Sequence, residues 1–461
     1  MKARSILTVA GAALLLPAYL GSCAVDRWAA YADRTASDRW IDDTMRVWYY
    51  WKDSMPNTND LNYFSPPFDF FASVLCKDDG QGGTPYSTID SLQPGTRSIP
   101  YTDYSYGFQF TTRQAEDNDT ALYAHVLYVA PGSPADGIGL QRGDWLLAMD
   151  GQPITESNQA RLYGSGAMQL TVGYYDAEDD TIRAYDGTRD MASACPVDDN
   201  PVHHYSVLES GAKRVGYLVY NHFSAGPTQG STSYDDDLRA AFAYFASQQV
   251  DEFVLDLRYN NGGLLSSAEL LCTMLAPASA LGQELGYAEF NSDFPVTPFR
   301  LDESRIGSGA NLNLSTLYVL TSGETASASE MLINCLKPYM DVVVVGATTV
   351  GKNVGSTTFT SPELMLTMSP IVCKLFNAQG ESDYASGFPA DVEVDENSDM
   401  AHFLPFGNPQ ELMLGTALGL IEGNGSLPPT TDDEEMPVVL NSVARRASKA
   451  VDISGGVRRP W

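Results

Sequence analysis

Positive charge is scarce in this chain: 28 lysines and arginines stand against 58 aspartates and glutamates over 461 residues, for a formal net charge of -30. Such a surface repels phosphate backbones and anionic lipid headgroups, which argues against nucleic-acid binding and against electrostatic membrane attachment. Cysteine is scarce too. Beyond Cys23 there are only Cys76, Cys195, Cys272, Cys335 and Cys373, an odd number with no C-x-x-C pair and no metal-ligand spacing. No disulfide can be assigned from them, and no metal or organic cofactor is implied. Long apolar runs are also missing, since after Leu20 nothing reaches the ~18 consecutive apolar residues needed to cross a bilayer.

What is present begins with an export signal. Lys2 and Arg4 precede the apolar stretch Ile6 to Leu20, and small residues follow it. Leu20-Gly-Ser-Cys23 is similar to a bacterial lipobox, which implies a lipid on Cys23 and membrane contact through that anchor only. Length and a hydrophobic content of 44% suit roughly three domains. Residues 23–100 read as a helical, aromatic-rich segment in which Ile41, Met45 and Trp48 form one stripe, widened by Trp40, Val47 and Trp51. A polar, glycine-rich break at Lys77 to Tyr86 follows. Residues 101–185 change to short strands and turns, 186–205 read as a polar linker, and 200–425 form an α/β region. The stretch 426–461, rich in Pro, Thr, Asp and Glu and then in Arg, reads as a disordered or loosely attached tail.

The α/β region is organised around residues 316–356. An apolar strand at Leu317 to Leu320 leads through a turn at Ser322 to Thr325 into a helix opened by Ser327. A valine strand at Val342 to Val345 follows, and the loop from Gly346 to Gly355 carries Lys352 back toward the serine. Two readings of Ser327 stand side by side. Ser327-Ala-Ser-Glu330 is a capping box, in which the serine caps the helix and Glu330 reaches back to it. Alternatively, Ser327 is a nucleophile whose proton is taken by a lysine kept neutral through burial.

Resemblance separates the two. Thr325-Ala-Ser-Ala-Ser-Glu330, followed by the valine strand and Gly351-Lys-Asn-Val-Gly-Ser356, resembles the C-terminal processing (tail-specific) serine peptidases of the tricorn-like superfamily. In these the nucleophile lies in an S-A-S-E string with a lysine base 25 residues later, the separation of Ser327 and Lys352. Phe253-Val-Leu-Asp-Leu-Arg-Tyr-Asn-Asn-Gly-Gly263 resembles the D-L-R-x-N-x-G-G segment of the same family, as Gly387 to Asp391 and Asn408 to Leu412 resemble its later segments. Val129 to Ala135, Gly139 to Asp144 and Met149 to Ile154 resemble a PDZ domain.

The resemblance implies a ClpP/crotonase-like catalytic domain, a mixed sheet with crossover helices, beside a small β-rich PDZ-like domain and the helical N-terminal segment. It implies Ser327 and Lys352 as a catalytic dyad, an oxyanion hole from the Gly262 and Ala328 amides, and peptide recognition by the loop Tyr106, Gly107 and Phe108. Its partners are protein or peptide substrates at the cell envelope; no oligomeric state is specified. Many members carry a glutamine four residues after the lysine, and here that position is Ser356. Ser356 is therefore the orienting candidate, and His222 the rival base, since tricorn-like relatives pair serine with histidine. Two other functions remain: a catalytically silent binding lipoprotein of the same fold, and a Ser-His peptidase.

Overall fold

The computed structural model describes residues 31–92, 104–115, 118–228, 230–423, 438–446 and 451–452. The export signal and Cys23 lie outside the described residues.

Two sheets sandwich three helices of the catalytic region. The larger has six strands in the order Val202–Ser210, Lys213–Tyr220, Glu252–Asp256, Thr316–Thr321, Asp341–Gly346 and Val392–Glu393. The first pair is antiparallel and the others are parallel, so crossover helices must cover the faces. Alternation sets which side chain faces which layer. Leu218 and Tyr220 pack with the helices Ser233–Ser247, Leu265–Leu275 and Ala328–Leu336, while Val215, Tyr217 and Val219 pack with Leu412–Glu422 on the opposite face. Cys272 and Cys335 are buried inside the first layer. The second sheet, Thr297–Arg300, Glu284–Phe290, Ile371–Asn377, Val354–Ser356 and Val451–Asp452, closes that layer from outside.

The PDZ-like domain is built on Phe108–Ala115, Asn118–Val129, Trp145–Met149, Met168–Asp176 and Thr181–Ala184. It is anchored to the catalytic region by one buried arginine. Arg142, from the Gly139 to Asp144 turn, donates to the Tyr259 hydroxyl at 2.6 Å and to Glu396 at 3.0 Å. Glu396 and Glu411 are shared with Arg258, which also pairs with Asp256 at 2.8 Å. Five charged side chains and a phenol thus satisfy one another where water cannot.

The N-terminal helix Ala32–Trp48 buries Ile41 and Met45, and Trp48 stacks on Phe294 at 4.9 Å. Val47, expected on the same stripe, is exposed because it stands a third of a turn away from the Ile41–Met45 line. Thr88–Ser91 pairs antiparallel with Leu366–Ser369, so this segment is built into the catalytic region rather than set beside it.

Two stretches depart from the sequence reading. The expected linker contains Arg189–Met191, a strand paired with Met168–Asp176, and Cys195–Pro196, paired with Tyr104–Ser105. The expected loose tail contains Val438–Asn441, which adds a strand to the PDZ sheet, and Val451–Asp452, which pairs beside Val354–Ser356. Free sheet edges supply the backbone partners that composition cannot reveal.

Candidate active site

Ser327 stands at a sharp junction. The strand Thr316–Thr321 ends in a turn closed by Thr325, whose N–H donates to the Ser322 carbonyl at 3.0 Å, and the helix Ala328–Leu336 begins three residues later. To make that turn Ser327 adopts φ 66° and ψ -112°, a region that side-chain-bearing residues seldom occupy. A strained serine at a strand-to-helix turn pushes its hydroxyl out of the helix geometry, as at a nucleophile elbow. The residue is wholly buried and in capping-box position with Glu330, and among the described residues its Oγ has no hydrogen-bond partner.

The surroundings explain how the turn is held. Asn260 is the clamp: its carbonyl accepts from the Ala326 N–H at 3.1 Å and from the Ser329 hydroxyl at 3.0 Å. Its side chain donates to the Tyr220 carbonyl and accepts from the Gly262 N–H at 2.8 Å. Gly262 has to be glycine, with φ +101° and only 2.6 Å between any added Cβ and the Ser327 Cβ. Of the two amides expected to form an oxyanion hole, that of Gly262 is thus engaged by Asn260 Oδ1. That of Ala328 opens the helix, where no intrahelical carbonyl can accept it.

Glu330 does more than the capping box predicts. It accepts from the Ser327 N–H at 2.8 Å, the Thr349 hydroxyl at 2.6 Å, the Gly351 N–H at 2.5 Å and the Lys352 N–H at 2.8 Å. The carboxylate therefore ties the serine turn and the lysine loop together at the backbone. Burial raises its pKa, and the four donors oppose that rise.

Lys352 is 2% exposed. Burial pulls its pKa from 10.5 down to about 8, against the opposing pull of the Asp79 and Glu330 charges. A lysine in this state releases its proton near neutral pH and can take one from a hydroxyl. Among the described residues no hydrogen bond joins Lys352 to Ser327 or to Ser356; Ser356 is instead a buried member of the strand Val354–Ser356, paired with Ile371. The ammonium rests 4.9 Å from the centre of the Tyr86 ring. Tyr86 is held in turn by Asp79, whose carboxylate accepts from the Tyr86 and Ser87 N–H groups at 3.0 Å and from the Tyr49 hydroxyl at 2.8 Å.

His222 is placed otherwise. Its Nδ1 lies 3.0 Å from the Ser224 hydroxyl and its Nε2 lies 2.8 Å from the Asp199 carbonyl, so both ring nitrogens are occupied away from Ser327. In the PDZ-like loop Tyr106 is buried with its hydroxyl donating to the Gly166 carbonyl, and Phe108 is buried in the domain core. Gly107 sits at φ +81° with its N–H donating to the Ser105 hydroxyl at 3.0 Å.

With this geometry in hand, similarity to known proteins becomes decisive. The fold superposes on a crystal structure of an S41 protease from Bacteroides fragilis with a TM-score of 0.76 and 42% identity, covering 83% of this chain and 97% of that one. The chain belongs to peptidase family S41. Models of that family match residues 214–394 for the peptidase itself and 36–106 for the S41 N-terminal domain, and a PDZ domain model matches 125–165. A carboxyl-terminal-processing protease of Picosynechococcus is 29% identical over 242 residues, 52% of this chain and 53% of that protein. One of Synechocystis is 26% identical over 354 residues, 73% of this chain and 75% of that protein. The chain thus spans about half the length of the first of these relatives.

Within the S41 member the sequence located the serine turn, the lysine loop and the glycine turn. It missed Asp79 and Tyr86, which lie in what reads as a polar break, because only the docking of the N-terminal domain carries them to Lys352. Asn260 lay in plain view inside the D-L-R-x-N string, and its place two residues before a glycine pair was the signal for a backbone clamp.

Proposed function

We propose that this S41 protein is a serine endopeptidase of the C-terminal processing type, with Ser327 as nucleophile and Lys352 as its base. The observation that carries the reading is a buried serine hydroxyl, unpartnered among the described residues, on a strained turn tied through Glu330 to a loop whose lysine is desolvated. In the reaction, neutral Lys352 takes the Ser327 proton as Oγ attacks the peptide carbonyl. The resulting oxyanion is received at the Ala328 amide, joined by Gly262 once substrate displaces its contact with Asn260. Collapse of the intermediate breaks the C–N bond, and the leaving amine takes the proton from Lys352. Water then attacks the acyl-enzyme by the same route. Tyr86 fills the positioning role left open at Ser356, holding the ammonium against its face.

The names of the relatives support protein or peptide substrates, with recognition assigned to the PDZ domain. The Leu20-Gly-Ser-Cys23 string supports a lipid anchor at the cell envelope; among the described residues no helix is long and apolar enough to cross a membrane. A fluorophosphonate probe tests the centre of the reading. It should label the wild-type protein on Ser327 and leave Ser327→Ala unlabelled, and the same substitution should abolish hydrolysis of an unfolded protein. A wild-type protein that is folded yet neither labelled nor active would return the chain to the silent binding class.

A further inference from the structure

The strand Val438–Asn441 lies on the edge of the PDZ sheet, antiparallel to Phe108–Ala115, with Val438 opposite Arg113, Leu440 opposite Thr112 and Asn441 opposite Thr111. The chain runs toward the Tyr106 to Phe108 loop, and the pairing continues past the strand. The Ser442 N–H donates to the Phe110 carbonyl at 2.9 Å, the Phe110 N–H donates to Ser442 Oγ at 2.7 Å, and that hydroxyl donates to Gln109 Oε1 at 2.6 Å. Leu440 packs against the PDZ core. This is the way an extended peptide adds to a sheet edge, with the backbone supplying affinity and alternate side chains entering pockets.

The same segment then reaches the active site. The Asn441 side chain donates to Glu324 Oε1 at 3.0 Å, in the turn that leads into Ser327. Val443 is fully buried with Leu127, Tyr128, Tyr259 and Phe403, where the PDZ and catalytic domains meet. Farther along, Val451 pairs with Gly355 and Asp452 with Ser356, in parallel, on the short strand that follows Lys352. One chain therefore touches the PDZ edge, the turn before the nucleophile and the strand after the base.

We propose that these three surfaces form one track for an extended polypeptide, and that the protein's own C-terminal segment is its resident occupant, a tethered competitor that substrate must displace. The effect on turnover rests on the Ser327–Lys352 reading; the occupancy does not. Because the occupant leaves the PDZ edge at Ser442, opposite Phe110, and continues into the domain interface at Val443, and because the Gly107 N–H is already taken by Ser105, the track accepts an internal stretch of chain without a terminal carboxylate. Tethering gives the segment a local concentration on the order of millimolar, so a free peptide of equal intrinsic affinity competes poorly until the tether's grip is weakened.

The test uses the full chain in three forms: wild type, Ser442→Pro and Leu440→Asp. Ser442→Pro removes the N–H given to Phe110 and the hydroxyl that Phe110 donates to, while Leu440→Asp places a charge against the PDZ core and serves if the proline variant does not fold. The probe is a fluorescein-labelled peptide copying residues 438–452, followed by anisotropy, with hydrolysis of a short fluorogenic peptide measured in parallel. Both variants should bind the probe at least about tenfold more tightly than wild type. They should also hydrolyse the fluorogenic peptide with a correspondingly lower KM, and unlabelled tail peptide should reverse that gain. Equal probe affinity in all three forms, or tighter binding with unchanged KM in active protein, overturns the proposal. Failure of the Ser–Lys reading has a different signature: no fluorophosphonate labelling and no turnover in any form, with probe affinity alone then deciding the track.

Discussion

Replacing Lys352 by methionine separates catalysis from stability with opposite signs. Lys352 is buried, and its pKa falls from 10.5 to about 8 because desolvation outweighs the attraction of Asp79 and Glu330. At about 1.36 kcal/mol per pKa unit, holding this ammonium in the folded protein below pH 8 costs about 3 kcal/mol relative to the unfolded chain. The folded pKa is the lower one, so between pH 8 and 10.5 the unfolded state binds the extra proton and stability rises with pH. Above pH 10.5 both states are neutral and the penalty is gone. Methionine has a similar length, carries no charge and keeps contact with the Tyr86 ring. Lys352→Met should therefore be more stable than wild type by about 2–3 kcal/mol at pH 7, with the gap shrinking toward zero by pH 10.5, while peptide hydrolysis is lost. Guanidinium denaturation of both proteins at pH 7, 8.5 and 10 measures the gap. A methionine variant that is less stable at pH 7, or a gap that does not narrow with pH, would refute the claim that the lysine is held in a desolvated and strained electrostatic state. The activity of wild type should follow the same titration, rising about tenfold per pH unit below 8 and levelling above it.

Asp79→Asn keeps the acceptor for the Tyr86 and Ser87 amides but removes a charge that raises the Lys352 pKa, so the acid limb of the pH–rate profile should move to lower pH; a limb that stays in place or moves alkaline would contradict the assignment. Tyr86→Leu should displace that limb and lower kcat while Tyr86→Phe restores both, a pattern that a purely structural tyrosine would not produce. Glu330→Gln sets an NH2 group against one or two of the three backbone N–H donors, and loss of those charge-assisted hydrogen bonds should destabilise the fold by about 2–5 kcal/mol in thermal or chemical denaturation. Ser327→Gly relieves a φ of 66° and should raise stability by about 1 kcal/mol with no hydrolysis, whereas Ser327→Ala, which keeps the strain, should not.

Local strings with a narrow chemical purpose were legible in the sequence. The S-A-S-E turn, the lysine after a valine strand, the D-L-R-x-N-x-G-G turn and the PDZ turns each need particular residues within a few positions, so one-dimensional spacing carries them. The β-α-β order of the catalytic sheet was legible for the same reason, because buried parallel strands read as continuous apolar runs. What decided the site beyond these strings came from contacts between distant segments. Asp79 and Tyr86 meet Lys352 only because Thr88–Ser91 pairs with Leu366–Ser369. Arg142 became the bond between domains only when Glu396, Glu411 and Arg258 were folded around it. The tail had the composition of a disordered segment, too polar to bury a core of its own, and that inference is sound for an isolated chain. Val438–Asn441 and Val451–Asp452 are ordered by backbone hydrogen bonds to edges presented by other parts of the molecule, an interaction that depends on peptide groups common to every residue and so leaves almost no mark in the sequence.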